Sequence, residues 1–231
     1  MEKKSDKVIR TVIIVLVGLT AAMNLLGGIG TICAAFFTKK YPPMWALYDY
    51  QWLYQLFVVV TTLVGIVGVW STISLVKGGK RVYEIAVAVV GVGTLVNLVH
   101  FLASMNLRGK GTPANVVFAI NLVTLIALLL TKLPGIRERV DFTNPSGRVD
   151  GATASGLAAI VGGILCLTVG IWVAPSHTYN GENWALALQW PLALAGAVLV
   201  LGGLGSLYSV LRDVVREERL QEGTTAGKAS R

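Results

Sequence analysis

Six long apolar runs divide this chain, at about residues 8–37, 52–76, 82–105, 114–131, 156–174 and 191–211. A helix needs about 20 apolar residues, within a range of about 17–25, to cross the hydrocarbon core of a bilayer. All six runs qualify, the fourth and fifth being the shortest. A spanning strand would need only about 9–11 residues and would alternate in character, whereas these runs are continuous in Leu, Val, Ile, Ala and Gly. Lipid offers the backbone no hydrogen-bond partner, so runs of this kind must be helical. The expected fold is an all-α integral membrane protein, a bundle of six transmembrane helices.

The distribution of charge orients the bundle. Only 14% of residues are charged, against about 25% in a soluble domain. Four cations open helix 1 (Lys3, Lys4, Lys7, Arg10), three lie between helices 2 and 3, four in the loop after helix 4 and five in the tail. The alternate connections hold two after helix 1 (Lys39, Lys40), two after helix 3 (Arg108, Lys110) and none after helix 5. Cytoplasmic loops are enriched in Lys and Arg, so both termini are expected in the cytoplasm. The net charge of +8 then reflects topology and anionic headgroups; nucleic acid is not an expected partner. The apolar run behind MEKKSDKVIR is too long for a signal-peptide core of about 7–15 residues, and is read as an uncleaved first helix in the cytoplasmic membrane.

Two outer segments resemble each other. WALYDYQW runs from Trp45 to Trp52, and WALALQW from Trp184 to Trp190. Upstream, Gly18-Leu19-Thr20-Ala21 and Gly156-Leu157-Ala158-Ala159 stand at nearly the same spacing from them. Helices 1–2 and 5–6 therefore read as related hairpins. The enrichment of Trp and Tyr at membrane interfaces is the simpler account of the likeness, ahead of duplication. Each segment is expected to be a short interfacial helix, after helices 1 and 5. Pro42-Pro43 separates helix 1 from the first of them. Residues 1–133 form a four-helix part, 134–155 a cytoplasmic linker and the expected hinge, 156–212 a two-helix hairpin, and 213–231 a cytoplasmic tail ending in a disordered GTTAGKASR.

Membrane helices associate through small residues and through polar side chains that bond across. The expected interior stripes are Thr20, Asn24, Gly27 and Thr31 on helix 1; Thr61, Gly65, Gly68 and Thr72 on helix 2; Gly93, Asn97, His100 and Ser104 on helix 3. Helix 4 offers Asn121, Thr124 and Ala127; helix 5 Ser155, Ala159, Gly162, Cys166 and Gly170; helix 6 Gly202, Ser206 and Ser209. Asn97 and Asn121 lie roughly 10–12 Å below the outer surface at about 1.5 Å per residue. These positions predict a cluster of Asn24, Asn97, His100 and Asn121 in the outer half, capped by Trp45, Trp52, Trp184 and Trp190. It is a candidate ligand pocket; the competing reading is a set of interhelical hydrogen bonds that only hold the bundle together.

Catalytic chemistry is hard to find. Spans carry no Lys or Arg beyond their terminal turns, and Glu84 lies near the cytoplasmic end of helix 3, in reach of Lys80 or Arg81. Pumps and ion-coupled carriers need intramembrane ionisable groups, of which His100 is the one candidate. His100 and His177 are the two histidines, too few for zinc, which takes three or four ligands, and poorly placed for a bis-His haem. His100, His177 and Glu182 could meet at the outer face, although their spacing does not require it. Hydrolase and phosphate-loop motifs are missing. No catalytic residue, metal or cofactor is expected. The favoured function is a non-catalytic membrane component, an accessory subunit or a binder of lipid or a small ligand. Its expected partners are the bilayer and other membrane subunits, met through the outer aromatic loops or the tail. A channel or transporter for a small neutral or amphipathic solute is the alternative, and a quinone- or lipid-linked enzyme using His100 the third.

Overall fold

The computed structural model describes the backbone of residues 4–229 and, apart from positions 148, 187 and 188, the side chains of residues 7–216. Helix α1 (Lys4–Phe36) is followed by a 3₁₀ helix, Pro42–Tyr50, with prolines in its first turn. Next come α2 (Gln51–Lys77), α3 (Val82–Arg108) and α4 (Ala114–Leu130). Glycines end two of these: the Gly78 N–H reaches Ser74 O, and Gly109, left-handed at φ 66°, donates to Met105 O. Only a residue without a Cβ adopts such angles at little cost.

The second half departs from expectation. α5 (Arg148–Leu167) takes up the last residues assigned to the linker and stops before 174. It breaks at Thr168, whose hydroxyl turns back on Ile164 O at 2.8 Å. Two single-turn helices follow, α6 (Val169–Trp172) and α7 (Ala174–His177), then a minimal hairpin of β1 (Thr178–Tyr179) and β2 (Glu182–Asn183). Asn180 and Gly181 form its turn with φ of 49° and 82°, both positive as a two-residue hairpin of the primed type requires. The Asn183 carboxamide accepts from Ala185 N and so caps the second 3₁₀ helix, Trp184–Leu188. α8 runs from Gln189 to Ala229. The segment expected to be disordered is thus helical as far as Ala229. No proline follows Pro191, and extending a formed helix needs no new nucleus.

Among the described residues, five helical stretches are long and apolar enough to cross a membrane: Lys7–Phe36, Pro42–Lys77, Val82–Arg108, Val149–Leu167 and Gln189–Arg216. α4 is apolar but shorter. Polarity is inverted relative to a soluble protein. Thr20, Asn24, Thr61, Ser71, Thr94, Asn97, Asn121 and Thr124 are buried, while Leu63, Ile66, Leu95, Val99, Leu194 and Leu201 are exposed. The surrounding medium must therefore be apolar for this arrangement to be favourable.

α1 packs against α2 most extensively and also meets α5 and α4, whereas α8 leans chiefly on α5. Both hairpins close through small residues. In α1–α2, a Cβ on Gly65 would lie 2.9 Å from Leu25 N, and one on Gly68 would lie 2.9 Å from Ala21 Cβ. In α5–α8, Gly156 faces Gly203 and Gly163 faces Gly196, so the two backbones touch at two crossings a heptad apart. This corrects two interior stripes: Ser155 and Gly202 are exposed, and a Cβ on Gly202 would meet nothing within 4 Å.

The linker is tied down where a hinge was expected. Ser146 N donates to Val76 O at 2.7 Å and Gly79 N to Phe142 O at 3.1 Å. Phe142 is buried beneath Tyr83, and Arg10 reaches both Leu75 O and Asn144 O. Asp141 accepts from Thr143 N, Thr143 Oγ1 and Asn144 Nδ2, and the Thr143 hydroxyl first among them holds its carboxyl below the usual carboxylate range. Glu84 pairs with Lys132 at 3.9 Å, rather than with Lys80 or Arg81; both partners are exposed, so the pair contributes little.

Candidate functional site

The three asparagines meet. Asn97 Nδ2 donates to Asn24 Oδ1 at 2.8 Å, and Asn24 Nδ2 donates to Asn121 Oδ1 at 3.2 Å. Each amide also bonds to a carbonyl one turn back, on Gly93, Thr20 and Val117, all at 2.8 Å. All three are essentially inaccessible. Gly93 makes room for the layer, since a Cβ there would collide with Asn121 Oδ1. Thr20 and Thr124 add a hydroxyl pair at 2.7 Å. This layer ties α1, α3 and α4 together between two apolar clusters, one around Ile14, Leu75 and Leu128, the other around Ala35, Leu47 and Tyr54.

His100 stands apart from that layer. Its ring stacks on Phe57, with centroids 4.5 Å apart, and meets Tyr54 edge-on at 5.5 Å. Of the four tryptophans, Trp184 is half-buried, with its indole N–H unpartnered. Trp45 packs on Tyr179 and Tyr41 on Trp184, so the two aromatic segments touch. Trp52 and Trp190 are 64% and 86% exposed and line none of the cavities described below.

A partly open cleft, with about 810 Å³ of empty space including its open mouth, lies between α1 and the α5–α8 half of the chain. Its walls include Met23, Leu26, Leu165 and Val169, with Tyr41 and Trp184 contributed by the aromatic segments. None of the three asparagines lines it. Its lining is almost wholly apolar. A smaller cavity of about 280 Å³ lies against it, sharing Gly30, Met44, Pro113 and His177. That cavity is polar on one side, lined by Tyr54, His100, Ser104, Arg108 and His177. Sequence reasoning missed Arg108, Ser104 and Tyr54 as possible site residues. Arg108 at the end of a span next to Gly109 reads as an interfacial cation, and nothing in the sequence tells that it turns inward.

The tautomer of His177 follows from its neighbours. Ser176 Oγ lies 2.8 Å from Thr112 O and 3.0 Å from Val173 O. Carbonyls only accept, so the hydroxyl hydrogen goes to one of them. His177 Nδ1 lies 2.8 Å from Ser176 Oγ and 3.3 Å from Val173 O, so Nδ1 carries the ring hydrogen and Nε2 is left as an acceptor. Burial first, then the Arg108 charge, pushes the His177 pKa down to about 4 from 6.5. The unfolded chain therefore takes up this proton first as pH falls. The stabilisation is complete above about pH 6.5 and is lost as pH drops toward 4. In detergent, the melting temperature should fall through that window, and His177→Gln should flatten the fall.

Fold and site together define a helical bundle with a polar seam, an apolar exterior and an apolar cleft beside its aromatic segments. No protein-family model matches the chain, and no curated protein or solved structure gives a significant match.

Proposed function

We propose that this is a six-span protein of the cytoplasmic membrane, with both termini in the cytoplasm, which holds the apolar part of a lipid-like ligand in its outer half without acting on it chemically. The observation that carries this reading is the nearly unbroken apolar lining of the cleft between α1 and the α5–α8 half. α4 counts as the sixth span: its 17 residues reach about 26 Å at 1.5 Å per residue, close to a core of about 30 Å. The distribution of Lys and Arg supports the orientation. Mutual engagement of the asparagine amides favours binding in the cleft over a solute route past the asparagines. Partner subunits would meet the aromatic segments, where Trp45 is exposed.

Two measurements test the proposal. Reporter tags inserted after Lys110 and after Asn180 should be reached from the outer side and a C-terminal tag only from the cytosol; tags at 110 or 180 accessible only from the cytosol would refute the topology. Protein purified in mild detergent should release an apolar small molecule on solvent extraction, in near-equal amount to the protein. Cys166→Trp, which fills the cleft, should lower that yield severalfold. A chain that always emerges empty, or an unchanged yield in the variant, would refute the binding role.

A further inference from the structure

The small cavity beside the cleft contains a cation with no anion to meet it. Arg108 has no carboxylate within ion-pair distance among the described residues, unlike Lys7, which pairs with Asp150, and Lys132, which pairs with Glu84. Its guanidinium instead touches neutral acceptors: Thr112 O at 2.9 Å, Ser176 O at 3.3 Å and Met44 Sδ at 3.5 Å. Its Nε is buried without a partner. An unpaired charge withdrawn from water is costly, and near a membrane such a residue marks a functional site by default. The same cavity is lined by Tyr54 and Ser104, whose Oη and Oγ lie 2.9 Å apart. Two hydroxyls carry two hydrogens and this contact uses one, which leaves one free to donate. Lys110, bonded to Thr178 O at 3.3 Å, adds positive charge to the same region.

We propose that this cavity seats the small anionic head, a carboxylate or a single phosphate, of an amphiphile whose hydrocarbon chain occupies the adjoining cleft. The inference rests on the cleft binding an apolar chain, and adds the charge of what is bound. Four residues wall both spaces, so head and chain of one molecule are neighbours. The free space beside Arg108 is small, which restricts the head to a compact group and leaves no room for a sugar. Arg108 presents planar N–H groups of the kind that bind carboxylate and phosphate oxygens.

Trp172 and Trp184 line the cleft, so a brominated chain bound there quenches their fluorescence. The test compares dibromostearic acid with dibromostearyl alcohol on the full chain in a neutral detergent at alkaline pH. Quenching lost in a Trp172→Phe/Trp184→Phe variant defines the cleft signal. The acid should bind about tenfold more tightly than the alcohol, a difference of about 1.4 kcal/mol. Arg108→Gln should abolish that preference and leave alcohol binding in place. Arg108→Lys, which keeps the charge, should retain part of it, and decides the matter if the glutamine variant does not fold. Equal binding of acid and alcohol to the wild type, or an unaltered preference in Arg108→Gln, overturns the anionic head. Cleft quenching by neither compound overturns the cleft reading itself. Inorganic phosphate in millimolar amounts should compete weakly with the acid; if it displaces the acid completely while leaving alcohol binding intact, the site is one for free phosphate and the amphiphile is wrong.

Discussion

Replacing Gly163 with leucine should separate α5 from α8 and leave little folded protein in detergent. A Cβ at position 163 would lie 2.6 Å from Gly196 O and 3.0 Å from Val200 N. Both are backbone atoms, so no side-chain rotamer relieves the clash. The same holds at Gly203, where a Cβ would lie 2.6 Å from Gly156 O and 3.1 Å from Ile160 N. Overpacking of a tight contact typically costs about 1–3 kcal/mol, and a side chain driven against backbone belongs at or above the top of that range. α8 has few other attachments, since its main neighbour is α5. Gly202→Leu and Gly205→Leu are the matched controls, because neither glycine has an atom within 4 Å of its virtual Cβ. Melting monitored by circular dichroism should show a large loss for Gly163→Leu and almost none for the controls. Equal behaviour of all three would mean that α5 and α8 do not meet along this seam.

Asn24→Leu should be the most damaging single change in the asparagine layer. Asn24 is the only one of the three that both accepts from and donates to another asparagine. Its loss strands an N–H of Asn97 and the Oδ1 of Asn121 at once. Each buried polar group left unpaired costs about 1–3 kcal/mol, while interhelical hydrogen bonds in membranes average only about 0.6 kcal/mol because the separated helices also find partners. A loss of about 2 kcal/mol lies between these limits. Asn97→Leu should cost less, since it strands only Asn24 Oδ1. A double-mutant cycle on Asn24 and Asn97 should show strong coupling, as expected of members of one network. Additive losses would mean that the relay does not form. If either variant keeps its melting temperature but loses a bound ligand, the layer belongs to a binding site and is more than a tie between helices.

How much of this was legible beforehand differs from residue to residue. The helices α1 to α4 follow the apolar runs closely, because continuous apolarity is a property of the chain read in one dimension. The stripes on helices 2 and 3 follow too: Gly65, Gly68, Gly93, Asn97 and Ser104 are buried, set apart by their smallness or polarity from the Val and Leu around them. In α8 the choice fails, because Gly196, Gly202, Gly203 and Gly205 are all small. Consecutive residues differ by about 100° around a helix, so selecting Gly202 in place of its neighbour turns the predicted seam away from α5. Asn180-Gly181 is a hairpin signal in the sequence, but its flanking strands are two residues each, too short to show an alternating pattern.

By itself the sequence determined that this chain makes long apolar helices with small and polar residues on their inner faces, since lipid leaves an unbroken apolar run no other way to bond its backbone. It also made Asn24, Asn97 and Asn121 neighbours in depth. Only the tertiary structure decided that the three asparagines bond to one another while His100 turns to Phe57, and that Arg108 faces a cavity beside an apolar cleft. Those outcomes depend on the rotation and offset of one helix against another. Such angles are set by where the glycine-lined backbones can approach most closely, and that is a property of helix pairs which no single segment carries.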